Sequence, residues 1–341
     1  MNNGGTLTVT NSTITSNAAT YSGPYSRGGG GGGVLHVDAT LTVTNSTISG
    51  NTAHYGGGVV IINGTVSLLN STITGNTASS SGGGIHNGIL YNYGTLTLTR
   101  TLISGNTAPS GPEIFHYYGV VTADQFNLFG LDGAAGIEGF TPGATDVVPP
   151  AGVQLADILD PTLALHGGRT PTHALVPGSL AIDAAGPECL DPTGAPLTMD
   201  QRGRPRPIDG NGDGIVACDI GAFEFVPLVS DLVTLDPDLD TSFDPTAVVG
   251  GPAGTFTVTG TFTNTSPTAL RAPFFEVTTL SGGNLLLNAD AGPGGVGTTL
   301  TPDVGDGVLA PGEAVTADFV IGLRVRAPFT FVVELFGEPL P

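Results

Sequence analysis

The chain contains no lysine and no tryptophan, and its 341 residues include only two cysteines and nine cations, all of them arginine. Without lysine there is no Schiff-base chemistry and no phosphate-cradling Walker-type lysine. Nine arginines against 29 acids give a net charge of −20. The basic patch on which phosphate neutralisation depends is therefore missing, which excludes a nucleic-acid binder. No run of about 18 apolar residues occurs, so no membrane span is expected. Charge of either sign is scarce, at 11% of residues against roughly 25% in an ordinary soluble domain. Glycine (54) and proline (26) are abundant instead, and a hydrophobic fraction of 39% leaves room for a core of Val, Leu and Ile.

The few charges are unevenly placed. Residues 1–120 hold only Arg27, Asp38, Arg100 and Glu113, whereas residues 121–226 and 227–341 each sum to −10. Three zones follow from this: a near-neutral one, and two acidic ones.

The near-neutral zone is repetitive. Thr6–Asn17, Thr40–Asn51, Thr65–Asn76 and Thr95–Asn106 align, and their closing asparagines are 34, 25 and 30 positions apart. The unit is thus about 25 residues, with insertions at Tyr21–Gly33 and Asn87–Gly94. Glycine triplets recur at Gly28–Gly33, Gly56–Gly58 and Gly82–Gly84. Inside each unit apolar and polar residues alternate, as in Leu41-Thr-Val-Thr44, and Asn or Gly-Asn closes each short run. Three short strands and three turns per unit predict one coil of a parallel β-helix, with inward Leu, Val and Ile stacking at a rise of roughly 4.8 Å. Turn asparagines tolerate left-handed backbone, and their amides are suited to bonding between coils. Phe126-Asn-Leu-Phe-Gly130 predicts a fifth, heavily inserted coil from Glu113.

The cycle Gly-Gly-Gly-Ile…Leu-Thr-Leu-Thr-Asn-Ser-Thr-Ile-Ser-Gly-Asn-Thr-Ala over residues 4–108 resembles the repeats of bacterial right-handed β-helix surface proteins of the polymorphic-outer-membrane-protein type. Next, Thr170–Asp183, Asp200-Gln-Arg-Gly-Arg-Pro-Arg-Pro207 and Cys218-Asp-Ile-Gly-Ala-Phe-Glu224 resemble, in that order, the choice-of-anchor Q domain. The alternating runs Thr255–Thr263, Phe274–Thr278, Ala314–Leu323 and Phe329–Leu335, with Leu309-Ala-Pro-Gly-Glu313, resemble bacterial immunoglobulin-like modules. The resemblances imply an all-β chain: a right-handed parallel β-helix over 1–150, a cap domain over 151–226 and an immunoglobulin-like sandwich over 227–341. They also imply an extracellular or cell-surface, bacterial-type location and name no reaction. In a secreted setting the pair Cys189 and Cys218 reads as one disulfide closing a loop of about 30 residues, the alternative being two buried thiols.

Candidate sites are few. Asp209-Gly-Asn-Gly-Asp-Gly214 fits the first half of a calcium loop, with side-chain oxygens from Asp209, Asn211 and Asp213 and the carbonyl of Ile215. Ile220 stands where a bidentate glutamate belongs, and Asp219 is the nearest substitute; an ordinary Asp/Gly turn gives the same pattern without an ion. Arg202, Arg204 and Arg206 read as structural ion-pair partners. His36 and His86 follow the glycine runs and, with His54 and His116, read as surface positions, the alternative being a metal-binding stack. Asp38 and Glu113 lie about three coils, or roughly 14 Å, apart, too far to act on one bond. No catalytic residue is assigned. The Asn-Ser-Thr triplets at Asn11, Asn45 and Asn70 match the glycosylation pattern and also serve as turn-plus-strand chemistry.

A full repeat is entered by Thr6 with no capping helix or signal peptide before it, so either the chain is a fragment or another molecule covers that edge. The expectation is a non-catalytic surface protein, a self-associating fibre subunit or adhesin. It would pair head to tail through Thr6, Leu7, Thr8 and Val9, with Phe329, Phe331, Val333 and Leu335 as a donor strand. The rivals are a carbohydrate-active β-helix enzyme and a monomeric sugar-binding module; a cell-surface or carbohydrate ligand is the other expected partner.

Overall fold

A computed structural model describes residues 1–20, 31–88 and 93–340. The insertion residues Tyr21–Gly30, with Arg27, and Ile89–Asn92 lie outside the described residues. The chain is nearly all β and divides into two compact units.

The first unit comprises Met1–Leu163, Thr170–Ile208 and Val216–Phe225. Its repeats wind as a parallel β-solenoid of about 4 turns. The first rung is β1 (Asn2–Asn3), β2 (Thr6–Thr10) and β3 (Thr13–Thr15); the second is β4 (Val34–Thr44), β5 (Thr47–Ser49) and β6 (Thr52–Tyr55). The third is β7 (Val59–Leu69), β8 (Thr72–Thr74) and β9 (Thr77–Ser81), and the fourth β10 (Ile85–Asn87), β11 (Gly94–Thr99) and β12 (Leu102–Ile103). The fifth is β13 (Ile114–His116), β14 (Gly119–Thr122) and β15 (Leu128–Phe129), and β16 (Ile137–Glu138) begins another pass. All neighbours pair in parallel, and equivalent repeat positions share a register: Leu7 with Leu41, Leu41 with Val66, and Val66 with Leu96. The period-two alternation thus becomes columns of buried Leu41, Val66 and Leu96, and of Ile48 and Ile73 beside them. Asn11, Asn45 and Asn70 take left-handed backbone, with φ of 48°, 47° and 44°. Asn45 and Asn70 are buried, so turn chemistry and not glycosylation explains those two triplets.

The segment 170–225 does not sit as a lid over one end of the coil. Thr170–Ile208 and Val216–Phe225 belong to the solenoid's own unit and lie along its second strand face. There Thr47 donates to Gln201 Oε1 (2.6 Å), Ser49 Oγ meets His173 Nε2 (2.8 Å), and Asn45 Nδ2 donates to the Met199 carbonyl (2.7 Å). The outward threonines and serines of the repeat are what this covering bonds to, and its own core gathers Leu159, Leu175, Ala181, Ile220 and the disulfide Cys189–Cys218.

The second unit comprises Ala164–Arg169, Asp209–Ile215 and Val226–Pro341. It is a sandwich of two antiparallel sheets. One holds β17 (Val233–Leu235), β18 (Asp240–Asp244), β19 (Thr255–Asn264), β21 (Leu285–Leu286) and β24 (Ala314–Gly322). The other holds β20 (Leu270–Leu280), β22 (Thr299–Leu300), β23 (Val308–Leu309) and β25 (Phe331–Pro339). Phe262, Phe275 and Phe319 pack ring to ring between them, Phe262 lying 4.5 Å from Phe275 and Phe319 5.2 Å from Phe275.

Candidate functional site

The solenoid is held internally by a ladder of asparagines that close successive rungs. Asn17 Nδ2 donates to Asn51 Oδ1, Asn51 to Asn76 and Asn76 to Asn106, each at 2.9 Å. The same acceptors take the backbone N–H of the preceding asparagine at 3.0 Å. The buried amides of Asn51, Asn76 and Asn106 are thereby each both donor and acceptor, and Asn17 at the exposed start of the column donates into it. Its end is Glu113, whose carboxylate accepts from the backbone N–H and the side-chain amide of Asn106. Burial pushes the Glu113 carboxyl up to about 7, against the pull of those donors from Asn106. The sequence signal for this role was a lone acid in an almost uncharged zone, just past the last closing asparagine.

Glu113 is therefore a structural terminus. Asp38, three rungs away by strand register, is exposed and accepts from Asn63 Nδ2 at 2.6 Å. The repeat zone's two acids are not brought together. The histidines are not surface positions throughout, nor do they form one stack. His36 follows its glycine run by three residues and His86 by two, so the pairing places His36 opposite Ile61, and His86 opposite Val60. This one-residue slip sends them to opposite faces of the sheet. Both are buried, and burial pushes His86 down to about 4.

The arginine-rich segment is a buried network. Arg206 Nε lies 3.0 Å from Glu224 Oε2, and both side chains are fully enclosed. Arg206 Nη2 also donates to the Asp219 carbonyl (2.9 Å) and Nη1 to Asn45 Oδ1 (3.2 Å). Arg202 pairs with Asp200 at 2.7 Å and lies 3.5 Å over the Phe223 ring. The ion-pair reading of Arg202 and Arg206 holds. The Arg204 backbone N–H donates to Asp200 Oδ1 at 3.0 Å.

Asp219, the proposed fifth calcium ligand, belongs to this network. Its two carboxylate oxygens accept the backbone N–H groups of Asp183 and Phe225. The other four candidates lie in the second unit. Asp209 accepts the N–H of Gly212 (2.8 Å), Asp213 (3.2 Å) and Gly214 (2.8 Å), and Asn211 Oδ1 accepts that of Asp213 at 2.9 Å. Asp213 in turn accepts the N–H of Ile215 at 2.8 Å. The loop is a string of Asx turns closed by its own backbone. Among the described residues, no group of three or more His, Cys, Asp or Glu converges as metal ligands would.

The expected association residues fare differently. β2 pairs only with β4 and β3 only with β5, so among the described residues their outer edges meet no strand. Leu7 is 38% exposed where its counterparts Leu41, Val66 and Leu96 are 0%. Phe331, Val333 and Leu335, by contrast, belong to β25, which is paired antiparallel with β20 inside its own sandwich, and Phe329 packs on Phe256 at 5.7 Å. That segment is no free donor strand.

No family model, no curated protein and no solved structure matches this chain. No helix among the described residues is long and apolar enough to cross a membrane.

Proposed function

We propose that this is a non-catalytic, bacterial-type extracellular surface protein that self-associates through the outer edge of its first rung. In this reading the solenoid is of the polymorphic-outer-membrane-protein kind, 155–225 is its choice-of-anchor Q segment and the sandwich is an immunoglobulin-like module. The carrying observation is the edge of β2, which meets no strand among the described residues, together with the half-bare Leu7. Natural proteins cover or blunt such edges, and this one carries only uncharged threonines at Thr6, Thr8 and Thr10. The scarcity and separation of acids on the rungs support the non-catalytic part.

The test is sedimentation velocity and negative-stain microscopy of the full chain over a concentration series. Linear assemblies are expected to grow with concentration. Thr40 N donates to Gly5 O and Asn11 N to Thr44 O, so odd positions of β2 face β4 and the Thr8 amide faces outward. Thr8→Pro therefore removes an edge donor without a β2–β4 bond, and is expected to leave a monomer with unchanged melting. A parent chain that stays monomeric throughout would overturn the reading.

Calcium at Asp209, Asn211, Asp213 and Ile215 has a separate test. Asx turns already engage the side-chain oxygens of Asp209, Asn211 and Asp213, so the melting temperature is expected to be the same in millimolar calcium and in chelator. A rise in calcium would restore the ion.

A further inference from the structure

The two sheets of the sandwich do not close along one side. β18 pairs with β19 alone, and β25 pairs with β20 on one side while its other edge is bridged by Leu228 only at Phe336, so among the described residues β18 and the Phe331–Val333 stretch of β25 leave an unpaired strand edge on each lip of the seam. Between the lips lies an apolar cavity of about 1000 Å³. Its lining includes Leu235, Leu239 and Phe243 from the β17–β18 lip, which are 43%, 46% and 45% exposed. Phe256, Phe331 and Val333 form the half-covered floor. Inward-facing side chains of a sandwich are ordinarily covered by the next strand; among the described residues no strand covers these.

We propose that this seam is the acceptor for one extended segment of a different protein, a strand with apolar residues at alternate positions and basic residues between them. Three observations select that occupant. The first is hydrogen bonding. Leu335 offers its N–H to the solvent-side Ser230 hydroxyl (2.9 Å) and its carbonyl to Val229 N–H (2.8 Å), so by alternation Phe331 and Val333 direct their amides into the seam. A polypeptide backbone answers those groups and an acyl chain does not. The second is size. Rise, strand spacing and sheet spacing give a strand residue roughly 160 Å³, so the cavity of about 1000 Å³ accepts about six residues, enough to run the full five-residue edge of β18. The third is charge. Asp236, Asp238, Asp240 and Asp244 are all exposed along one lip. They repel a second copy of a chain whose net charge is −20 and that has no lysine, and they attract a cationic segment. The inference goes beyond self-assembly at the first rung and does not rest on it.

The test uses the full chain and a fluorescein-labelled probe, Lys-Val-Lys-Ile-Lys-Val-Lys, followed by anisotropy. Saturable one-to-one binding is expected. Joint Asp→Asn change at 236, 238, 240 and 244 is expected to weaken it about tenfold with melting unchanged. Loss of binding is also expected for the Glu-for-Lys peptide, for Lys-Lys-Val-Ile-Val-Lys-Lys, and for a probe N-methylated at alternate amides, which keeps charge and side chains but cannot pair as a strand. Equal binding of the contiguous or N-methylated probe overturns the proposal by reducing it to charge attraction. No binding of the alternating probe, uptake of dodecanoate instead, or a dimer of the parent abolished by the same Asn substitutions also overturns it.

Discussion

Alanine at Gly57 is expected to lower the melting temperature of the solenoid unit by about 10 °C, corresponding to roughly 3 kcal/mol at 2–4 °C per kcal/mol. Gly57 has no need of left-handed backbone; its constraint is proximity. A Cβ there would stand 2.5 Å from the Gly83 carbonyl oxygen and 2.6 Å from the backbone N and O of Thr77. These are backbone atoms of the next rung, and that rung is fixed by Gly57 N–H donating to Gly82 O and Gly58 N–H to Gly83 O, each at 3.1 Å. No side chain can swing aside, so the rungs must part and several inter-rung bonds lengthen together. Gly83→Ala repeats the conflict one rung on, against the Pro112 carbonyl at 2.5 Å and Thr107 at 2.6 Å. Gly5→Ala is the control: the nearest atom to its Cβ is Asn2 Oδ1 at 3.6 Å. Thermal melts followed by circular dichroism check all three, and a Gly57→Ala protein melting like Gly5→Ala would show that the glycine column is not tightly packed.

The glycine triplets were legible in the sequence as a recurring part of each coil, and the period-two runs marked the inward Leu, Val and Ile, because a rung's pattern repeats whatever surrounds it. The asparagine ladder was legible for the same reason: one residue type at one phase of the repeat. What escaped depends on register or on distant chain. His36 and His86 look equivalent because each stands shortly after a glycine run, yet a single extra residue before His36 turns one to the other face. The donor-strand reading of Phe329–Leu335 identified the strand and missed its partner, since β20 lies about 60 residues back and pairs through backbone groups that every residue carries. The lateral packing of 170–225 likewise runs through Thr47 and Ser49, residues that in an isolated repeat read only as a solvated face. The seam had a signal that passed unused: Leu235, Leu239 and Phe243 recur every fourth position between aspartates, too apolar for a free acidic loop.

Removing the Arg206 guanidinium should do the greatest damage of any single side-chain change in the first unit, and the damage should depend on pH. With Arg202 engaged by Asp200, Arg206→Leu leaves Glu224 and Asp219 fully enclosed without their paired cation, which costs about 3–5 kcal/mol when both are ionised. Burial already pushes Glu224 up to about 7 while Arg206 pulls it down, and burial with the neighbouring Glu224 charge holds Asp219 well above the usual carboxylate range. A carboxyl raised on folding favours its protonated form in the native state. Its contribution is complete below the unfolded value near 4 and is lost as pH rises through the folded value. With the guanidinium gone the folded values move further up, so Arg206→Leu should approach the parent's stability at pH 5 and fall furthest behind at pH 8. His36, His86 and His173, all pushed down by burial, work in the opposite sense but are common to both proteins, and the difference between them cancels that effect. Urea unfolding of parent and variant at pH 5, 6, 7 and 8 measures this directly. A deficit constant across the series would mean that the two acids stay ionised in the fold and that Arg206 acts through its hydrogen bonds to Asn45 and the Asp219 carbonyl.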